Sequence, residues 1–182
     1  EPLVRKNVMN LFKNLGGFID KGKLKELTLT TNGSQLERYA EELYEYGVKR
    51  INVSIDTLKP NLFKFLTRRG DLEKVLAGID KALKVGLKVK INTVALKETN
   101  ENELLDIMKW AHSNKCDITF IETMPLGEID VDRTDQFLPL SKVKEKFSKY
   151  YNLSPSNHYT GGPSRYYDVK ETGNRIGFIT PL

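Results

Sequence analysis

The residues of this sequence that are best placed to do chemistry are polar side chains inside and after a series of predicted β-strands. The first strand ends in Thr30-Thr31-Asn32-Gly33, the second carries Ser54, and the third carries Lys90 and Asn92 between apolar neighbours. A lysine that faces a protein interior needs a partner, because an unpaired buried ammonium is costly. A bound anion, such as a triphosphate or a carboxylate, would supply that partner. The pattern therefore predicts an anion-binding mouth where the strands end.

Each of these residues also has an ordinary structural explanation. Thr, Asn and Gly are common turn residues, Lys90 could extend its ammonium to solvent, and Ser54 could bond to the backbone. Turn chemistry, however, does not require polar groups inside several strands. The functional interpretation consequently rests on the whole set of residues, and the residue types alone do not name a reaction.

The elements that must position these side chains alternate regularly along the chain. The predicted strands cover residues 27–31, 50–56, 88–96 and 117–122, and the predicted helices cover residues 34–46, 60–66, 72–85 and 101–113. Such alternation predicts an α/β protein with a parallel sheet and helices outside it, either a (β/α) barrel or an open doubly wound sheet. In these folds ligands bind at the carboxyl ends of the strands. A further helix, beginning near Val8, is expected to end at Gly16-Gly17.

The pattern changes after Glu122. Residues 123–140 read as a loop, and Ser141 is placed to cap a short helix. Three short segments near residues 150–153, 164–169 and 176–180 are separated by glycine-containing turns, which favours antiparallel strands. We therefore predict a core of residues 1–124 and a C-terminal extension of residues 125–182.

Composition narrows the class of protein. The net charge of +5 suits an anionic ligand or a lysine-rich surface. The lysines are mostly spread over the exteriors of predicted helices, as at Lys81 and Lys84, and are not clustered on one face, so a nucleic-acid partner is not expected. No apolar run reaches the length of a membrane span, and no secretory signal is visible, so no membrane partner is expected. The single cysteine, Cys116, excludes an internal disulfide and a multi-cysteine metal site within this chain.

Seven short motifs, taken in order, resemble those of a known family. They are EPLVR at 1–5, TTNG at 30–33, INVSID at 51–56, VKINTV at 89–94, FIETMP at 120–125, GPSRYY at 162–167 and IGFIT at 176–180. The first resembles the end of a Gly-Gly-Glu-Pro motif. The ordered combination resembles the MoaA family, the GTP 3',8-cyclases of molybdenum cofactor biosynthesis among the radical S-adenosylmethionine (SAM) enzymes, over essentially the whole chain.

The resemblance implies a fold, a reaction and cofactors. It implies a partial (β/α) TIM-type barrel and a lyase that converts GTP to (8S)-3',8-cyclo-7,8-dihydroguanosine 5'-triphosphate by using SAM and two 4Fe-4S clusters. Cluster ligands are cysteine thiolates; neither cysteine set is present, so both are expected outside residues 1–182, and the chain alone is expected to be an inactive central fragment. A homodimer could form, and a downstream cyclic pyranopterin synthase would act on the product. The expected compartment is the cytoplasm or, in a eukaryote, an organelle matrix.

The resemblance also assigns roles to residues. Those expected to bind SAM are Glu1, Ser54, Asn92 and Met124. Those expected to bind GTP are Thr30 and Lys90, the latter as a point charge on phosphate. Thr119 stands where many members of the family carry an arginine, which puts one phosphate contact in doubt.

Two alternatives stay open at this point. One is another radical SAM enzyme with a different substrate, which would not bind GTP. The other is a nucleotide-binding module without clusters, which would bind GTP but contain no iron.

Overall fold

A computed structural model describes residues 1–123 and 136–181 of the chain. The chain divides into two compact units. The first comprises Glu1–Ser54 and Lys59–Lys90, and the second comprises Ile55–Leu58 and Ile91–Leu182. The predicted boundary at residues 124 and 125 falls outside the described residues and stays a prediction.

The first unit consists of a short 3-10 helix followed by strands and helices in alternation. Its elements are the 3-10 helix Pro2–Val4, α1 (Val8–Asp20), β1 (Thr28–Thr31), α2 (Leu36–Glu45), β2 (Arg50–Ser54), α3 (Pro60–Thr67), α4 (Leu72–Lys84) and the start of β3 (Lys88–Ala95). Strands β1 and β2 are parallel, with Thr30 opposite Asn52.

One face of each strand in the first unit is apolar and buried. Leu29, Ile51 and Val53 alternate with polar residues that lie on the opposite face. Helices α2 and α4 pack on one another and bury their own apolar stripes. The polar face of the strands is thereby left for other contacts.

The prediction that α1 ends at Gly16-Gly17 is wrong, because the helix continues to Asp20. The reason is a close approach between two segments of backbone. A Cβ on Gly16 would lie 2.3 Å from the carbonyl oxygen of Tyr46, whereas a Cβ on Gly17 would have no neighbour within 4 Å. Gly16 therefore serves helix packing and does not terminate the helix.

The second unit contains the rest of β3 and the C-terminal elements. These are α5 (Leu104–Ser113), β4 (Asp117–Glu122), α6 (Leu140–Ser148), β5 (Leu153–Pro155), β6 (Arg165–Val169) and β7 (Arg175–Ile179). The last three strands pair antiparallel in order, and β7 also pairs parallel with β4. Phe120 and Phe147 meet edge to face at 5.4 Å between ring centroids in the core of this unit.

The predicted cap of α6 is also wrong. Ser141 lies within the helix, which begins at Leu140. The Leu140 N–H donates instead to the Glu122 carboxylate at 2.7 Å. An acidic group at a helix N-terminus is favourable because it accepts from an otherwise unpaired N–H and complements the helix dipole.

The predicted fold class is confirmed. Parallel strands alternate with helices, and the antiparallel strands of the tail are present. The pairing of β7 with β4 was not predicted. Among residues 1–123 and 136–181, no helix combines the length and hydrophobicity that crossing a membrane would require.

We predict opposite effects for alanine at the two neighbouring glycines of α1. Gly16→Ala should lower the free energy of unfolding by about 1–3 kcal/mol, because its Cβ collides with backbone. Gly17→Ala should raise it by up to about 1 kcal/mol, since alanine is the better helix former. Urea denaturation of both variants checks the prediction, and equal effects would contradict it.

His112 provides a second test of the fold. This α5 residue is buried; its Nδ1 lies 2.8 Å from Thr172 Oγ1, and its Nε2 lies 3.3 Å from the Arg175 carbonyl oxygen. A carbonyl can only accept, so Nε2 carries the proton and Nδ1 accepts from the Thr172 hydroxyl. Burial lowers the pKa of His112, although Asp117 and the Arg175 carbonyl oppose the shift.

The lowered pKa predicts a loss of stability in mild acid. Below the ordinary histidine pKa of about 6.5 the unfolded chain takes up a proton that folded His112 resists, so the free energy of unfolding falls with pH until the folded-state pKa is passed. His112→Gln should weaken this dependence, as measured by urea denaturation at several pH values from 5 to 8. Identical pH dependence in the variant would show that His112 is not responsible.

Candidate functional site

The turn after β1 is held by the carboxylate of Glu1. The Thr31 hydroxyl donates to it at 2.8 Å, and the Asn32 N–H donates to its other oxygen at 2.5 Å. The Leu3 N–H also donates to it, at 3.1 Å. Both carboxylate oxygens are therefore engaged with the protein, and Glu1 fixes the end of the strand.

Three residues of the Thr-Thr-Asn-Gly motif shape this turn. The Gly33 N–H donates to the buried Thr31 hydroxyl at 3.0 Å, and the Ser34 N–H donates to Asn32 Oδ1 at 2.9 Å. Gly33 has φ +77°, and a Cβ there would lie 2.8 Å from a methyl carbon of Val75. Thr30 and Asn32 are both exposed, but Asn32 is engaged in the turn, whereas Thr30 lies on the polar face of β1.

A row of three polar residues crosses the strands of the first unit. Thr30 lies opposite Asn52, whose Nδ2 donates to Thr30 Oγ1 at 3.1 Å. The Lys88 N–H donates to the Lys49 carbonyl at 2.9 Å, which in a parallel ladder places residue 88 opposite residue 50 and Lys90 opposite Asn52. Thr30 is exposed, whereas Asn52 and Lys90 are half-buried. We call Thr30, Asn52 and Lys90 the polar row.

The structure brings some of the predicted residues together. Ser54 follows Asn52 by two positions, so it lies on the same face of β2 as the polar row, and it is exposed. Glu1 lies at the turn that follows Thr30. Asn92 belongs to the second unit, where its buried Oδ1 has no hydrogen-bond partner among the described residues. Met124 lies outside the described residues.

Sequence reasoning did not select Asn52 as a site residue. Its role depends on its register partners, Thr30 and Lys90, which are far away in sequence. The available signal was its two-residue spacing from Ser54, which puts both side chains on one face of the strand.

The second unit holds a polar network at the end of β3. The Val94 N–H donates to the Asp56 carboxylate at 2.8 Å, and Asn100 Nδ2 donates to the Asp56 carbonyl at 2.7 Å and the Val94 carbonyl at 2.8 Å. Burial raises the pKa of Asp56, and the bond from Val94 opposes that shift. These bonds connect Asp56, which follows β2, with Val94 near the end of β3 and with Asn100, which follows β3.

Thr119, where the family resemblance expected an arginine, is fully buried opposite Gly177. A Cβ on Gly177 would lie 2.8 Å from Thr119 Oγ1 and 2.3 Å from Ser164 Oγ. Neither hydroxyl oxygen has a hydrogen-bond partner among the described residues. Position 177 therefore has to be glycine, because the hydroxyl oxygens of Thr119 and Ser164 leave no space for a Cβ.

The residues of this chain do not fit a 4Fe-4S cluster. Cys116 is its single cysteine and is buried, and burial raises the pKa of that thiol to about 12, which opposes formation of the thiolate ligand. Within residues 1–123 and 136–181, no group of three or more His, Cys, Asp or Glu side chains could hold a metal ion.

Comparison with known families decides the classification. Residues 1–111 match the model of the Radical SAM superfamily, which is more than half of the chain. The chain belongs to the radical SAM superfamily. Residues 116–182 match the model described as Molybdenum Cofactor Synthesis C. The superfamily that the motifs indicated is confirmed.

Curated relatives of this radical SAM chain carry one name. Proteins named GTP 3',8-cyclase from Sinorhizobium medicae (strain WSM419) and Rhizobium leguminosarum bv. trifolii (strain WSM2304) are 57% and 58% identical to it over 182 residues. In each case the match covers 100% of this chain and 52% of the relative. The chain therefore spans about half the length of the curated relatives it matches.

Solved structures share the fold of this radical SAM chain. Native anSMEcpe with bound AdoMet and Cp18Cys peptide matches with a TM-score of 0.58 at 19% identity, over 78% of this chain and 43% of that one. Streptococcus suis SuiB bound to S-adenosylmethionine matches with a TM-score of 0.57 at 20% identity, over 82% of this chain and 33% of that one. These likenesses support the α/β fold class.

The Glu1 carboxylate should govern the stability of the turn after β1. Glu1→Gln replaces one acceptor oxygen by an amide that cannot accept, so the Asn32 N–H should exchange with solvent about tenfold faster, equivalent to ~1.4 kcal/mol. Amide hydrogen exchange measures the effect. Glu26→Gln, which weakens the surface pair of Glu26 with Arg50, is the matched control and should leave Asn32 unchanged. Unaltered exchange in Glu1→Gln would contradict the assignment.

Proposed function

We propose that this chain is the central part of a GTP 3',8-cyclase, a radical SAM lyase acting in the first step of molybdenum cofactor biosynthesis. The relatives with that name are 56–58% identical along all 182 residues, and the matches to the Radical SAM superfamily and to Molybdenum Cofactor Synthesis C are consistent with such an enzyme. The observation that carries the proposal is the polar row, because it offers a cation and a hydroxyl on one face of parallel strands.

GTP is the proposed ligand of the polar row. Lys90 supplies an ammonium and Thr30 a hydroxyl, and both are suitable donors to phosphate oxygens. Ser54 lies one pleat further along the same face of β2. The product of the proposed reaction, (8S)-3',8-cyclo-7,8-dihydroguanosine 5'-triphosphate, keeps the triphosphate, so the same contacts serve substrate and product.

SAM is the proposed cofactor, and when bound it supplies the radical chemistry that removes a hydrogen atom from the ribose of GTP. The exposed hydroxyl of Ser54 suits a polar contact to it. The unpartnered Oδ1 of Asn92 is an acceptor suited to a ligand donor. Glu1 is proposed to lie near the methionyl ammonium of SAM. Its carboxylate also accepts hydrogen bonds from Thr31 and Asn32, which hold the turn after β1. Met124 is proposed to lie against the adenine.

The remaining components are proposed from the family. Two 4Fe-4S clusters would be held by cysteines outside residues 1–182, since this chain has one cysteine. A homodimer and a cyclic pyranopterin synthase downstream stay predictions, as does a cytoplasmic or organelle-matrix location.

Substitutions on the polar row test the proposal in the full-length protein. Lys90→Ala should weaken GTP binding about 10- to 100-fold and reduce its dependence on salt, because a charge-assisted hydrogen bond to phosphate is lost. Thr30→Val should weaken it about 5- to 10-fold. Isothermal titration calorimetry with GTP measures both.

Two matched controls come from the same strands. Thr28 and Lys88 lie on the same face, two residues earlier in β1 and β3. Thr28→Val and Lys88→Ala should change GTP affinity less than twofold. Equal losses in the controls, or no loss in Lys90→Ala, would contradict the proposal. Full-length protein that binds SAM but not GTP would indicate a radical SAM enzyme with another substrate.

A further inference from the structure

We propose that Asn52 is a positioning residue that keeps the Thr30 hydroxyl available as a hydrogen-bond donor to an anionic ligand. The inference rests on the proposed function only in taking that ligand to be the triphosphate of GTP. Asn52 lies between Thr30 and Lys90 in the polar row, and its Nδ2 donates to Thr30 Oγ1 at 3.1 Å.

The direction of this hydrogen bond decides what Thr30 can do. A threonine hydroxyl has one proton to donate and two lone pairs that accept. Because Asn52 Nδ2 occupies an acceptor position of Thr30 Oγ1, the hydroxyl proton remains available for another group. Among the described residues the Thr30 hydroxyl donates to none, and the side chain is exposed. Its proton can therefore be given to a ligand on the polar face.

The Asn52 amide is oriented with its Nδ2 toward Thr30, and Lys90 is its register neighbour on β3. Flipping the amide would turn its oxygen to Thr30, which would then spend its proton on Asn52. The flip would also turn the NH2 group of Asn52 away from β1 and toward β3. Lys90 lies on β3, at an inter-strand spacing of about 4.8 Å. A positive charge favours the carbonyl oxygen over the NH2 group as its neighbour. The bond from Asn52 Nδ2 in turn orients the Thr30 hydroxyl.

The buried oxygen of Asn52 is consistent with this ordering. Asn52 Oδ1 is buried and has no hydrogen-bond partner among the described residues. Leaving a buried acceptor unsatisfied is unfavourable, and such groups are uncommon in folded proteins. Turning this oxygen toward Thr30 instead would give it a partner, but only by taking the single proton of the Thr30 hydroxyl. The proton of the Thr30 hydroxyl and the positive charge of Lys90 on the same face suit an anionic ligand.

An isosteric variant separates positioning from packing. Asn52→Asp keeps the shape of the side chain but offers only acceptor oxygens when ionised. It should take the Thr30 proton and also pair with Lys90, so GTP affinity should fall about 100-fold. Asn52→Ala should reduce affinity by no more than the about 5- to 10-fold loss of Thr30→Val, because the hydroxyl is kept but no longer directed. Thermal denaturation of both variants identifies any loss of fold.

A double-mutant cycle tests the coupling in the full-length protein. Thr30→Val, Asn52→Ala and the double variant are titrated with GTP and, as a probe without the triphosphate, with guanosine. If Asn52 acts through Thr30, the double variant should lose about as much GTP affinity as Thr30→Val alone, and guanosine binding should not change. Additive losses, or equal losses for guanosine, would overturn the inference.

Failure of the inference and failure of the proposed function give different results. If the wild-type protein binds no GTP, the proposed function fails, and the same variants are titrated with inorganic tripolyphosphate. Coupled losses with tripolyphosphate would uphold the role of Asn52 without GTP. Absence of tripolyphosphate binding, or additive losses, would overturn it.

Discussion

Parallel pairing in register is the constraint on which the candidate site depends. Side chains alternate between the faces of a strand, so the register between β1 and β2 sets Thr30 beside Asn52. The same regularity continues to Lys90 on β3. A slip of one residue in any pair would move its polar side chain to the buried face. The apolar residues Leu29, Ile51 and Val53 prevent that slip, because it would expose them to water. The alternation of apolar and polar side chains along the strands therefore serves both the packing of the core and the placement of the polar row.

The Glu1 carboxylate extends this order beyond the strand. It receives two N–H groups and the Thr31 hydroxyl, and the Gly33 N–H in turn donates to that hydroxyl. Because the N–H groups of residues 32–34 are all paired, the turn has little conformational freedom, and the position of Thr30 before it is fixed. The residues of the Thr-Thr-Asn-Gly motif therefore have different roles. Thr31, Asn32 and Gly33 build the turn, and Thr30 is left to meet a ligand.

Local patterns in the sequence predicted most elements but not the contacts made at a distance. The strand at 117–122 and the alternation of strands and helices were predicted because each element carries its own hydrophobic period. The end of α1 at Gly16-Gly17 and the cap at Ser141 were wrong because the deciding partners are the Tyr46 backbone and the Glu122 carboxylate. Asn52 was missed for the same reason, since only the register reveals its bond to Thr30.

A crystal structure of the full-length protein with GTP and SAM bound tests the role of the polar row most directly. We expect phosphate oxygens within hydrogen-bonding distance, about 3 Å, of Thr30 Oγ1 and Lys90 Nζ, with Asn52 Nδ2 still donating to Thr30. A triphosphate bound elsewhere, with the polar row in contact only with protein and water, would contradict it.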